Sequence, residues 1–254
     1  LAKRLAHQAG ALNLEAWSQL YVFRTVAEGN RDAELPALLA VSRRLGTEAG
    51  DPHLGAFLHD CVAVMEGQTG RLEEARRHVA IAESILSRFP HEQIEQSVQV
   101  DAFCVAWLDR DYARAAFHVQ RGRELGVSGP TFDVNQGHLD LILGNFATAL
   151  GALERCSEHA WSQRLAAYDG LARLFLAVGR LGDCEAILRR IVQARSQREL
   201  SDYYPLRWAT VCSVRLSLVK RDWQAAARES EYEIQQALRV RDIPLVIMHS
   251  LLHA

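Results

Sequence analysis

The same short signature returns five times along this chain, and it limits the fold more than any other feature. Gly70-Arg71-Leu72 is echoed by Arg110-Asp111-Tyr112, Gly144-Asn145-Phe146, Gly179-Arg180-Leu181 and Arg221-Asp222-Trp223. Three residues after each large apolar residue stands a small one: Ala75, Ala115, Ala149, Cys184 and Ala226. Four further on come Val79, Val119, Leu153, Leu188 and Ser230, and only the last breaks the apolar pattern. The turns are 40, 34, 35 and 42 residues apart. Self-similarity near this period marks an α-solenoid, in which each helical hairpin buries its apolar stripe only against its neighbours.

The stretch from Ala56 to Phe89 displays the unit most clearly. Phe57, Leu58, Cys61, Val62 and Met65 recur at helical spacing, Gly67 and Gly70 interrupt, and Leu72, Ala75, Val79, Ala82 and Leu86 resume the period. Before it, residues 12–27 read as a helix closed by a Glu28-Gly29-Asn30 turn. A second helix is expected from Asp32, as N-cap, to Leu45, with Pro36 in its first turn, where a missing amide donor costs little. Residues 46–55, GTEAGDPHLG, read as a loop, residues 1–10 as the end of a preceding helix, and Phe89-Pro90 as the close of the central hairpin.

This pattern resembles the tetratricopeptide repeat, a helix–turn–helix of about 34 residues. The fullest match is 168–191. There Tyr168, Leu171, Ala172 and Phe175 stand for Trp, Leu, Gly and Tyr of the first helix, and Leu181, Cys184, Leu188 and Ile191 for Tyr, Ala, Phe and Ala of the second. The central hairpin keeps Val62, Ala63, Leu72, Ala75, Val79 and Ala82. Residues 131–158 keep Gly137, Phe146, Ala149 and Leu153 but place Gln136 and Asp140 at apolar sites. Divergent repeats of variable length also resemble the superhelical regions of large bacterial regulators, the LuxR-type activators typified by the maltose regulon activator. The resemblance implies an all-α, right-handed superhelix of about six hairpins, with residues 1–254 forming one repeat domain cut from a larger multidomain protein. The missing initiator Met and a final PLVIMHSLLHA that stops inside a helical pattern agree with a fragment.

Composition narrows the function classes. A net charge of −2 without a basic stripe argues against direct nucleic-acid binding. No apolar run approaches the ~18–20 residues of a membrane span, and no secretion signal opens the chain, so a cytoplasmic location is expected. Lys3 and Lys220 are the only lysines among 29 basic residues, an arginine bias that fits a GC-rich bacterial genome. Five dispersed cysteines fit reduced thiols acting as small core residues. No phosphate loop, HExxH or nucleophile elbow occurs, and no metal set or cofactor is expected. His78 and His118 stand equivalently, six residues after Leu72 and Tyr112, and read as inherited repeat positions. Trp17, Tyr21, Phe23, Trp107, Trp161, Tyr203, Tyr204 and Trp208 read mostly as packing residues, and Trp223 firmly so.

If the tetratricopeptide register holds, residues eight before each turn hydrophobe face a concave groove: Val64, Cys104, His138, Arg173 and Arg215. The last three make a basic file, with Asn135 and Asp169 beside it. The carboxylate clamp of some tetratricopeptide domains is not reproduced, since only Asn135 resembles part of it. The resulting expectation is a recognition or sensor domain of a bacterial regulatory or signalling protein, with no enzymatic activity. It would bind a protein segment or small effector in its groove. A structural oligomerisation scaffold, such as a homodimer, is the alternative, and a repeat-built enzyme a distant third.

Overall fold

The computed structural model describes residues 2–8, 10–28, 34–158, 161–196, 204–239 and 241–254, and every regular element among them is an α-helix. The chain divides into two compact units, Leu1–Val127 and Ser128–Ala254. The first holds α1 (Ala2–Gln8), α2 (Leu12–Glu28), α3 (Leu35–Ala49), α4 (Pro52–Gln68), α5 (Leu72–Arg88), α6 (Glu92–Leu108) and α7 (Tyr112–Glu124). The second holds α8 (Pro130–Ile142), α9 (Phe146–Ser157), α10 (Trp161–Ala177), α11 (Leu181–Ser196), α12 (Tyr204–Val219), α13 (Trp223–Arg239) and α14 (Ile243–His253). Consecutive helices pack in pairs: α2 with α3, α4 with α5, α6 with α7, α8 with α9, α10 with α11 and α12 with α13. The even-numbered helices also lie side by side, α2–α4–α6 in one unit and α8–α10–α12–α14 in the other. This is a helical repeat architecture, and within each unit it puts one face of each even-numbered helix beside the next.

The turn signature has a single backbone cause. Gly70, Gly144 and Gly179 have φ of 81°, 81° and 76°, and Arg110 and Arg221 take the same left-handed conformation at 58° and 62°. In each case the next residue's N–H reaches back five positions: Arg71 to Glu66, Asp111 to Ala106, Asn145 to Asp140, Arg180 to Phe175 and Asp222 to Ser217. This Schellman closure satisfies carbonyls that the helix end leaves without partners. The same residue then opens the next helix, its carbonyl accepting from the small residue four positions on, as Arg71 does from Ala75 and Arg180 from Cys184. The Asp111 and Asp222 carboxylates add side-chain caps, accepting from Arg114 and Ala225 N–H. Arg241-Asp242-Ile243 is a sixth copy, with Arg241 at φ 54° and Asp242 capping Leu245. It escapes the sequence pattern because Val246 fills the place that is small elsewhere.

Ala75, Ala115, Ala149 and Cys184 are completely buried and Ala226 nearly so, which is why these positions stay small. Packing is tightest around Leu153 of α9. A Cβ at Gly137 of α8 or Gly170 of α10 would come within 2.8 Å of the Leu153 side chain, so both helices are held close only as glycine. Gln136 and Asp140, polar where the repeat expects apolar residues, satisfy one another: Gln136 Nε2 donates to Asp140 Oδ2 at 2.9 Å, and Asn145 Nδ2 donates to Asp140 Oδ1 at 3.2 Å.

Three expectations need correcting. Residues 46–55 are not a loop: Gly46–Ala49 complete α3, Gly50 ends it in the left-handed conformation, and Asp51 caps α4 by accepting from His53 N–H. Gly67 does not interrupt α4, which runs to Gln68; only Gly70 breaks the helix. Trp223 is 61% exposed rather than packed. Phe146, at the equivalent place, is also exposed. Tyr112, at the same place in its repeat, is half-buried with its ring 5.9 Å from that of Trp107. α3 starts at Leu35, with Glu34 at its N-cap position and Pro36 in the first turn; Asp32 and the Gly29-Asn30 turn lie outside the described residues.

Candidate functional site

Polar side chains gather on the even-numbered helices of both units. In the second unit three of the five groove candidates come together. His138 of α8 reaches α10, its Nε2 lying 3.2 Å from the Ala166 carbonyl oxygen. Arg173 of α10 makes a bidentate pair with Asp169 one turn earlier, Nε to Oδ1 at 3.0 Å and Nη2 to Oδ2 at 2.9 Å. Its guanidinium carbon lies 6.0 Å from the centre of the Trp208 ring on α12. Burial pushes the His138 imidazole below its ordinary value, with the Asp169 carboxylate opposing and Arg173 reinforcing. At neutral pH His138 is therefore a neutral hydrogen-bonding group, and Arg173 is matched by a carboxylate. Asn135 is buried one turn before His138, and Arg215 is exposed two turns after Trp208 on α12.

The first unit carries a larger network, absent from the sequence reading. Arg24 of α2 extends across α4 to α6: its Nη1 donates to Ser97 Oγ at 3.1 Å, and its Nη2 lies 3.0 Å from Asp101 Oδ2. Arg24 Nη1 is also 3.7 Å from Asp60 Oδ2 of α4, which accepts from Ser97 Oγ at 3.0 Å. Asp60 and Asp101 are buried, so burial raises both carboxyls above the usual range. Asp60 rises further because Asp101 lies beside it, while Arg24 opposes the rise at both. One guanidinium thus serves two carboxyls, and the pair holds a proton to higher pH than exposed aspartates do. Phe57, under the Arg24 guanidinium at 5.5 Å, joins Trp17 and Tyr21 in an aromatic group with centroids 5.4–6.4 Å apart.

A signal for Asp60 was present in the register. Asp60 and Asp169 both stand twelve residues before their turn hydrophobes, and Asp101 and Asn135 both stand eleven before theirs. One helical turn from the eight-before position lies the same face, so the register places Asp60 on it without showing which groups it meets.

The equivalent histidines are buried links between paired helices. His78 Nδ1 lies 2.6 Å from His59 Nδ1, and His118 Nδ1 lies 2.8 Å from Gln99 Oε1. His249 of α14, also six residues after its turn hydrophobe, meets Thr210 Oγ1 at 2.9 Å. Burial brings His59, His118 and His249 down to about 4. Phe23 is fully buried; Trp17, Trp107 and Trp208 are half-buried, Tyr21 is exposed, and the side chains of Trp161, Tyr203 and Tyr204 lie outside the described residues. Among the described residues no cysteine forms a disulfide, and no group of three or more His, Cys, Asp or Glu could hold a metal ion. None of the described helices is long and apolar enough to cross a membrane. In comparison with known proteins, no family model and no curated protein matches this chain.

Proposed function

We propose that this chain is a recognition module, a tetratricopeptide-like right-handed superhelix of about six hairpins within a bacterial regulatory or signalling protein of the LuxR-type, maltose-activator-like kind. It binds a protein segment or small effector along the face of its even-numbered helices and carries out no reaction itself. The observation that carries this reading is the convergence of His138, Asp169 and Arg173 with Trp208 across α8, α10 and α12. An anionic or polar partner can bond to Arg173 while Asp169 holds the guanidinium in place, and the exposed Arg215 and the buried Asn135 extend the same face. Pre-ordered guanidinium groups lose less side-chain freedom on binding than unrestrained ones.

A peptide-display selection and a thermal-shift screen of metabolites test this. Binders found on the wild-type chain should lose affinity when Arg173 and Arg215 are both replaced by Ala, with the fold retained. Binders indifferent to that change would move recognition elsewhere.

One observation favours a second reading, the oligomerisation scaffold. Ile243, Ile247 and Leu251 of α14 are exposed at 42%, 52% and 66% and fall on one helical stripe. Concentration-dependent self-association abolished by Ile247→Glu would support the scaffold.

A further inference from the structure

On the first unit, α3, α4 and α5 enclose a groove of about 380 Å³ lined by Arg43, Gly46, Thr47, Gly55, His59 and His78 among others. The two imidazoles meet at Nδ1, so one ring donates its N–H to the other's lone pair. Arg43 is exposed on the rim. The flanking Arg44 and Arg77 are paired with Glu48 and Glu74, whereas Arg43 has no carboxylate partner among the described residues. Two glycines stand inside helices in the wall. A Cβ at Gly46 would meet nothing within 4 Å, and one at Gly55 only Ile85 Cδ1 at 3.7 Å. Neither is glycine because its neighbours demand it, and glycine weakens a helix. What the two preserve is open space.

We propose that this groove binds a small anionic ligand, its carboxylate or phosphate held by the Arg43 guanidinium and by the His59–His78 imidazole pair. The pair takes up one proton from solvent as the anion enters, converting one ring to an imidazolium that faces the negative charge. The charged groups around the pair are Arg43 on α3, Glu66 on α4, and Glu74 and Arg77 on α5. Glu66 is held by Arg71 and Glu74 by Arg77, so neither carboxylate is committed to the rings. With the groove empty, burial, the His78 imidazole and the two arginines keep His59 neutral down to about pH 4. An entering anion reverses that balance, and affinity rises as pH falls.

The next groove along the repeat shows what the first has that its sister lacks. Between α5, α6 and α7 a hollow of about 370 Å³ includes Glu83, Glu95, Gln99 and Arg121. There Gln99 and His118 replace the imidazole pair, and Arg121 is bound to Glu95 at 2.7 Å and to Glu124 at 3.3 Å. The hollow repeats; the accessible cation does not.

Isothermal titration of the full chain with sodium sulfate, exchanged for chloride at constant ionic strength, tests the proposal, because sulfate keeps its charge across the working range. Binding should be saturable and tighter at about pH 6 than at about pH 8. Proton uptake should appear when buffers of different ionisation enthalpy are compared. Malonate at the higher pH serves as the carboxylate probe. Arg43→Ala should weaken both anions by about tenfold or more, and His59→Gln should remove the pH dependence while the fold remains. Absence of saturable binding for both anions, or equal binding by Arg43→Ala, would overturn the proposal. Binding of zinc in place of the anions, lost in His59→Gln, would also overturn it, in favour of a metal site.

Discussion

The two units place polar groups on the same faces of equivalent helices but balance them differently. In the first, a single arginine ties α2, α4 and α6 together and faces two buried carboxyls. In the second, Arg173 faces one carboxylate on its own helix and stacks on Trp208 of the neighbouring helix. Repeat position therefore decides where a charge can stand, while the partner on the next helix decides what that charge does. The first arrangement stabilises a fold that would otherwise hold an uncompensated buried charge. The second holds a partly exposed, pre-ordered guanidinium between one carboxylate and the Trp208 ring.

Removing the cation separates the two arrangements most sharply. Arg24→Ala leaves Asp60 and Asp101 buried without a counter-charge and is expected to cost about 3–5 kcal/mol. Arg173→Ala leaves one buried carboxylate, Asp169, without its partner rather than two, and is expected to cost less, about 1–3 kcal/mol. Urea denaturation of both variants measures the contrast, and equal losses would break it.

Glycine substitutions come next. Gly170→Ala and Gly137→Ala drive a Cβ into Leu153 and should each cost about 1–3 kcal/mol, as should Ala149→Leu and Cys184→Leu at the fully buried crossings. Gly46→Ala in the first unit meets open space and should stabilise by about 0.4–1 kcal/mol. Denaturation midpoints that move alike in the two units would mean the close approach at Leu153 is wrong.

Protonation acts in opposite directions at the buried histidines of both units and at Asp60 of the first. His59 and His118 of the first unit and His249 of the second titrate near 4 when folded and near 6.5 when unfolded. Each contributes stability that is complete above about pH 6.5 and lost as pH falls towards about 4. Asp60 has the opposite sign: its folded value is raised, so its contribution is complete below the usual aspartate range and is lost as pH rises through the raised folded value. Asp60→Asn should therefore leave stability at neutral pH unchanged or higher. His118→Gln should flatten the acid limb of a stability–pH curve, and an unchanged limb would show that His118 does not titrate as its burial implies.

Much of this fold was legible because the turn chemistry is local. A left-handed residue, a cap and a small residue three positions after the turn hydrophobe are written consecutively, and five copies fixed the repeat. The sixth was hidden by Val246. Burial of large rings was less legible, since Trp223 and Tyr112 occupy one position, yet Trp223 is exposed and Tyr112 is half-buried against Trp107. The contacts among His138, Asp169 and Arg173 were legible because His138 and Arg173 stand at one repeat position and Asp169 one turn before Arg173. Those of Arg24, Ser97, Asp60 and Asp101 were not, because they cross three helices and 73 residues of sequence separate Arg24 from Ser97.

The most direct test of the account compares one binder, selected on the wild-type chain, against two variants. Affinity should fall for Arg173→Ala/Arg215→Ala, whose side chains form the accessible face, and stay the same for Asp60→Asn, which alters only the closed network of the first unit. Loss of affinity in Asp60→Asn, with the double variant binding as the wild type does, would contradict the account.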